Sequence, residues 1–246
     1  MRIAVAGATG LIGTRLAALA RTEGHEVVEI ARETGFDLLQ ADDPRLAEAL
    51  IGVEAVVDVT QGPAIGPEAT AFFTTVAENL GRAATAAGVA RSVVLSIVGT
   101  DLSPDYDYYV AKTEQEKAVR AHAPGAVVLR ATQFHDFPGQ MLQWNRDGDV
   151  ARIIDVPIQP VDTAEIVRLL LDLATGAASG DTDLAGPRQE RLIDLVQRWA
   201  AHLGDDVTVE PVEAPASMAG GSMLPGPAAL LRGPSWQEWL AARAAG

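Results

Sequence analysis

The sequence predicts an α/β protein built on a doubly wound parallel sheet. Three observations predict it. Short apolar runs alternate with helix-length amphipathic stretches through the first half of the 246 residues, the order that strand–helix–strand units produce. Runs such as VVLSIV (93–98) and AVVLRA (126–131) are almost continuously apolar, as parallel strands covered on both faces are. Gly7, Gly10 and Gly13 are spaced by two residues each, between a strand-like and a helix-like segment.

The elements follow in order. Ile3–Val5 reads as a strand and Leu11–Thr22 as a helix that Gly24 stops. Glu26–Ala31 is a second strand, Pro44–Ile51 a short helix and Ala55–Thr60 a third strand. Glu68–Ala87 has helical periodicity and ends at Gly88; Ser92–Val98 is a strand. Tyr108–His122 is a helix, and Pro124-Gly125 leads into the strand Ala126–Ala131. The second half is less regular. Thr163–Thr175 is a helix capped by Asp162 or Thr163, and Leu192–Leu203 and Ser235–Arg243 are two more. Ala214–Pro234, rich in Gly, Pro, Ala and Met, reads either as a surface loop or as a substrate lid.

Composition excludes several classes of function. Hydrophobic residues are 48% of the chain, enough for a large core and too many for a disordered one. The net charge is −14, and lysine occurs only at 112 and 117. Such a field repels phosphate backbones and anionic membranes, so neither nucleic acid nor membrane is expected as a partner. There is no cysteine, hence no disulfide, thiolate nucleophile or cysteine metal site. The four histidines are scattered without acids at ligand spacing, and no metal is expected. The glycine-interrupted start is unlike a signal peptide and no run of about twenty apolar residues is present. A cytoplasmic protein is expected.

The glycine segment Gly7-Ala8-Thr9-Gly10-Leu11-Ile12-Gly13 has the context of a dinucleotide loop. Gly7 permits the turn, Gly10 lets the main chain approach a pyrophosphate, and Gly13 lets the helix lie against the strand. The N–H groups at Leu11, Ile12 and Gly13 then face phosphate, helped by the helix dipole, and Thr9 adds a hydroxyl. Where an NAD site carries an acid, after the second strand, this chain has Ala31-Arg32, and Arg15 follows the last glycine by two. A guanidinium suits a 2′-phosphate. NADP(H) is therefore expected over NAD(H). Thr60, at the end of the third strand, is assigned to the same site.

Tyr108 and Lys112 are four apart and share a helix face. A reductase that delivers hydride to a carbonyl must protonate the developing alkoxide. A tyrosine suits that task when its pKa is brought down from about 10, and a nearby ammonium does this.

These residues resemble the short-chain dehydrogenase/reductases, in their atypical, NmrA-like branch. The resemblance rests on GATGLIG (7–13), LSIVGTD (95–101), YYVAK (108–112), RATQFHDF (130–137), PVDTAEIV (160–167) and GPSWQEWL (233–240). It implies a Rossmann-like core, residues 1–135, and a small C-terminal substrate-binding region, mostly 136–246, with 160–178 returning to the core. It also implies Tyr108 as proton donor, Lys112 as its partner and ribose ligand, and Ala131, Thr132, Gln133 and Phe134 beside the nicotinamide. The substrate-oxygen donor of active members corresponds to Ser96 or Thr100. His135, Met141 and Trp144 are candidate substrate contacts in a pocket suited to a flat apolar carbonyl compound.

The expected function is reduction of a carbonyl, quinone or related small molecule by hydride transfer from NADPH. Two other readings share the motifs: a non-catalytic NADP(H) sensor, and an epimerase or isomerase with tightly held cofactor. Homodimers are common in such folds, and no feature of this sequence demands one.

Overall fold

A computed structural model describes residues 1–62 and 66–244. The elements in chain order are β1 (Arg2–Ala6), α1 (Leu11–Thr22), β2 (Glu26–Ile30), α2 (Pro44–Ala49), β3 (Ala55–Asp58), α3 (Pro67–Ala86), β4 (Arg91–Ile97), α4 (Asp107–His122) and β5 (Ala126–Ala131). They continue with α5 (Phe137–Trp144), β6 (Arg146–Asp147), β7 (Val150–Ile154), β8 (Pro157–Ile158), α6 (Thr163–Thr175), β9 (Thr182–Ala185) and β10 (Glu190–Arg191). The last are α7 (Leu192–Leu203), β11 (Thr208–Val212), α8 (Ala216–Ala219), β12 (Leu230–Leu231) and α9 (Trp236–Ala244). Short 3-10 turns at Arg32–Thr34 and Thr100–Leu102 follow β2 and β4.

The central sheet has seven strands in the order β12-β9-β5-β4-β3-β1-β2. β1 pairs in parallel with β2 on one side and β3 on the other, and β3 pairs in parallel with β4. The chain therefore reverses its direction of winding at β1, and ligands of open α/β sheets bind at the carboxyl ends of the strands around such a point. Ile3, Ala4, Val5 and Ala6 of β1 are fully buried, as are Ala55, Val56 and Val57 of β3. Continuous burial explains why these strands do not alternate apolar with polar residues.

The chain forms two compact units. The first comprises 1–96, 107–130 and 164–182. In it, α3 buries a stripe of Ala69, Phe73, Val76, Ala77, Leu80 and Ala84, at the three- and four-residue spacing of one helix face. α2 begins with Pro44 at its first turn, and the Asp43 carboxylate accepts from the Arg45 N–H at 3.0 Å, a standard cap.

The second unit comprises 97–106, 131–163 and 183–246. Segment 97–106, which the sequence reading leaves inside the first domain, groups here instead. The unit contains an antiparallel β8–β10 pair and a three-stranded sheet, β11-β7-β6. It also contains a tryptophan cluster. Trp199 stacks on Trp239 with centroids 6.0 Å apart, and Trp236 lies 6.3 Å from Trp239.

The stretch Ala214–Pro234 is more structured than a plain loop. It holds α8, and its β12 pairs in parallel with β9. It is also tied to 99–105. The Asp105 carboxylate accepts from the Ser217 main-chain N–H at 3.0 Å and from its hydroxyl. The Ser103 and Ser222 hydroxyls are 2.7 Å apart, and a Cβ on Gly99 would lie 1.8 Å from the Ser222 carbonyl oxygen.

Candidate active site

The glycine loop belongs to the first unit. Gly7 has φ +81°, a left-handed conformation that favours glycine. A Cβ there would sit 2.8 Å from Val59 O and 2.9 Å from the Thr60 main chain, so the loops after β1 and β3 touch. Gly13 comes so close to the turn that a Cβ would lie 2.1 Å from Gly7 O. Gly10 is the N-cap of α1, and no side chain caps this helix. Helix starts of this kind leave N–H groups available to an anion. Ile12 is buried and Leu11 exposed. Arg15 and Arg32 are both exposed. The Thr9 hydroxyl donates to Glu33 Oε2 at 3.0 Å, which draws an acid across the loop.

Tyr108 and Lys112 lie on α4 and share one neighbour, Phe73 of α3. The Tyr108 ring meets Phe73 edge-on at 5.9 Å, and Lys112 Nζ lies 4.7 Å from the centre of the same ring. Lys112 is only 4% exposed. Its ammonium donates to Leu95 O at 2.9 Å and to Gln115 Oε1. Burial pushes its pKa down to about 8, against the opposing pull of Asp58 and Glu116.

Asp58 and Gln115 are partners that sequence reasoning missed. Asp58 ends the buried strand β3 and is itself buried. Its Oδ1 accepts from the Thr60 N–H at 2.9 Å and the Thr60 hydroxyl at 2.7 Å, and its Oδ2 from Gln115 Nε2 at 3.0 Å. Two signals were present. AVVD places an acid at the end of a wholly apolar strand, and Gln115 stands three residues after Lys112 on the same helix.

Ser96, expected as a candidate catalytic hydroxyl, lies against a buried acid. Ser96 is 2% exposed and donates to Glu116 Oε1 at 2.6 Å. Glu116 is gripped by Arg130, whose Nε and Nη2 each approach a carboxylate oxygen at 2.8 Å. The serine completes this buried ion pair.

The remaining predicted residues lie in the second unit. Thr100 is 2% exposed, and its hydroxyl has no hydrogen-bond partner among the described residues. Ala131 ends β5 and is buried. The Thr132 hydroxyl donates to Gln159 O at 2.6 Å. Gln133 is buried and takes the Val161 N–H on its carbonyl at 2.8 Å; Phe134 bridges to Val161. Met141 is half-buried and Trp144 exposed. His135, expected as a candidate substrate contact, is fully buried. Its Nε2 is 3.1 Å from Pro160 O, its ring meets Trp239 edge-on at 5.2 Å, and its carbonyl accepts from Trp236 Nε1 at 2.9 Å. It holds the tryptophan cluster to the chain. Among the described residues, no group of His, Asp or Glu could hold a metal, and no helix is long and apolar enough to cross a membrane.

Sheet order and crossing loops define an α/β protein of the Rossmann type. Solved structures share this fold across nearly the whole chain. A dTDP-4-dehydrorhamnose reductase from Bacillus anthracis in complex with NADP superposes with TM-score 0.72 at 14% identity, covering 98% of this chain and 97% of that one. MoeE5 in complex with UDP-glucose and NAD gives 0.71 at 20%, covering 98% and 92%. A dTDP-4-dehydrorhamnose reductase ortholog from Clostridium acetobutylicum gives 0.71 at 18%, covering 87% and 84%. No family model and no curated protein sequence matches the chain.

Proposed function

We propose that the chain is an NADP(H)-dependent oxidoreductase that reduces the carbonyl of a small molecule, with Tyr108 as proton donor and Lys112 as its partner. The observation that carries this reading is the meeting of Tyr108 and Lys112 on Phe73, in the same compact unit as an uncapped glycine-rich helix start. The residues fit a dinucleotide. The loop has a turn only glycine enters easily, a helix N-terminus with no side-chain cap, and two exposed arginines, Arg15 and Arg32, beside it.

The nicotinamide, when bound, supplies the hydride. Tyr108 Oη gives its proton to the substrate oxygen as negative charge develops there. The Lys112 ammonium stabilises the phenolate that is left. Ser96 is occupied by Glu116, and the buried Thr100 hydroxyl has no partner among the described residues. The solved neighbours named for a dehydrorhamnose sugar nucleotide and for bound UDP-glucose add oxidised sugar nucleotides to the carbonyl and quinone compounds worth screening.

The test is fluorescence titration with NADPH and NADH, run on the wild type and on Arg32→Ala. The reading expects NADPH to bind more tightly and the substitution to weaken NADPH alone. Failure of both nucleotides to bind would remove the reading. In a turnover screen, Tyr108→Phe should lower the rate by about 10²–10⁴-fold, the usual worth of a general acid, and leave nucleotide affinity unchanged.

A further inference from the structure

Among the described residues, Lys112 meets no acid directly. Its hydrogen bonds go to the Leu95 carbonyl and to the neutral amide of Gln115. Gln115 in turn donates to Asp58 Oδ2, and the other oxygen of Asp58 holds the main chain and hydroxyl of Thr60. Gln115 is 1% exposed and Asp58 4%. The chain of contacts thus runs from the ammonium, through an amide and a carboxylate, to the loop that presses on Gly7.

The amide can be oriented in only one way. Turned over, its NH2 would face the ammonium and its oxygen would face the carboxylate, so both contacts would become repulsive. Glutamine is suited to this position because it accepts from a cation at one end and donates to an anion at the other. A leucine could do neither. A glutamate would place a second carboxylate against Asp58.

We propose that Gln115 and Asp58 are positioning residues for Lys112, fixing its ammonium against β4 and linking it to Thr60 at the nucleotide loop. The proposal rests on the role given to Lys112 above. The acids that act on this ammonium are Asp58, reached through the amide, and Glu116, which Arg130 and Ser96 already engage. Loss of the amide acceptor or of the Asp58 charge should therefore make the ammonium harder to keep.

The experiment is an NMR titration of protein labelled with ¹³Cε,¹⁵Nζ-lysine. The chain has only two lysines, and Lys117 is exposed, so it serves as an internal reference. In the wild type, Lys112 is expected to titrate well below the ordinary lysine value. Gln115→Met and Asp58→Asn, each folded by near-ultraviolet circular dichroism, should lower the Lys112 midpoint by about one unit or more, a tenfold change or more in its proton affinity. A merely structural role would lower thermal stability and leave that midpoint in place, which would overturn the proposal. So would a wild-type Lys112 that titrates at the ordinary lysine value, a result that needs no variant. NADPH titration of the same samples keeps the two readings apart. Absence of nucleotide binding with the Lys112 shifts intact removes the catalytic assignment and not the linkage.

Discussion

The Thr9 hydroxyl donates to the Glu33 carboxylate at 3.0 Å. This bond joins the middle of the glycine loop to the turn after β2, and it holds Glu33 below the usual carboxylate range through hydrogen bonds from the backbone and from Thr9. A fixed negative charge therefore stands beside Arg32, where a 2′-phosphate would have to be received.

Glu33→Gln should accordingly tighten NADPH more than NADH. The ratio of the two dissociation constants, measured by fluorescence at low salt, should move modestly toward NADPH, since an exposed charge near a phosphate is largely screened by solvent. A ratio that moves toward NADH would mean that Glu33 serves the ribose hydroxyls, as the acid of an NAD site does.

Two glycines separate the fold from the ligand. At Gly13 an added Cβ meets Gly7 O at 2.1 Å, whereas at Gly10 it meets the same oxygen at 3.4 Å. Gly13→Ala should therefore lose about 1–3 kcal/mol of stability, the range for forced overpacking. Gly10→Ala should melt within a degree or two of the wild type and still lose nucleotide affinity, because its methyl stands at the uncapped start of α1. Full nucleotide affinity in folded Gly10→Ala would show that this surface does not approach the cofactor.

The buried ammonium of Lys112 makes a pH prediction. Its folded pKa is depressed from 10.5 to about 8, so the unfolded chain binds the proton more tightly. The cost is fully present below about pH 8 and is relieved as pH rises toward 10.5. The stability of the wild type relative to Lys112→Met should grow by about 2 kcal/mol between pH 7.5 and pH 10. Denaturant unfolding of both proteins across that interval measures it, and a constant difference would contradict the burial of the charge.

His135 predicts the opposite end of the pH scale. Burial lowers its pKa, more than Asp162, the Pro160 carbonyl and Asp136 raise it. The folded state holds it neutral while the unfolded chain takes up a proton at about 6.5. Its contribution is intact above that value and declines as pH falls through the depressed folded pKa. Tryptophan fluorescence should report the loss, since three of the four tryptophans surround it or its neighbours. His135→Asn should flatten the acid limb of the melting profile; an unchanged limb would assign the acid sensitivity elsewhere.

The amino-acid sequence by itself determined what short-range physics governs. The apolar strands, the amphipathic helices α3, α4, α6 and α7, and the turn at Gly7 are set by residues within a turn or two of one another, so periodicity and glycine spacing revealed them. Tertiary structure decided the rest, because the deciding partners are distant in the chain. Ser96 bonds to Glu116, which Arg130 grips. His135 meets Trp236 and Trp239, about a hundred residues away. Ala214–Pro234 had too little local pattern to show that it adds β12 to the sheet and ties down 99–105. Lys112 could be matched to Tyr108 by a helical spacing of four, but its link to Asp58 spans more than fifty residues and depends on Gln115 of α4 reaching the acid at the end of β3. No local pattern carries that relation; the fold creates it by desolvating both charges and leaving Gln115 between them.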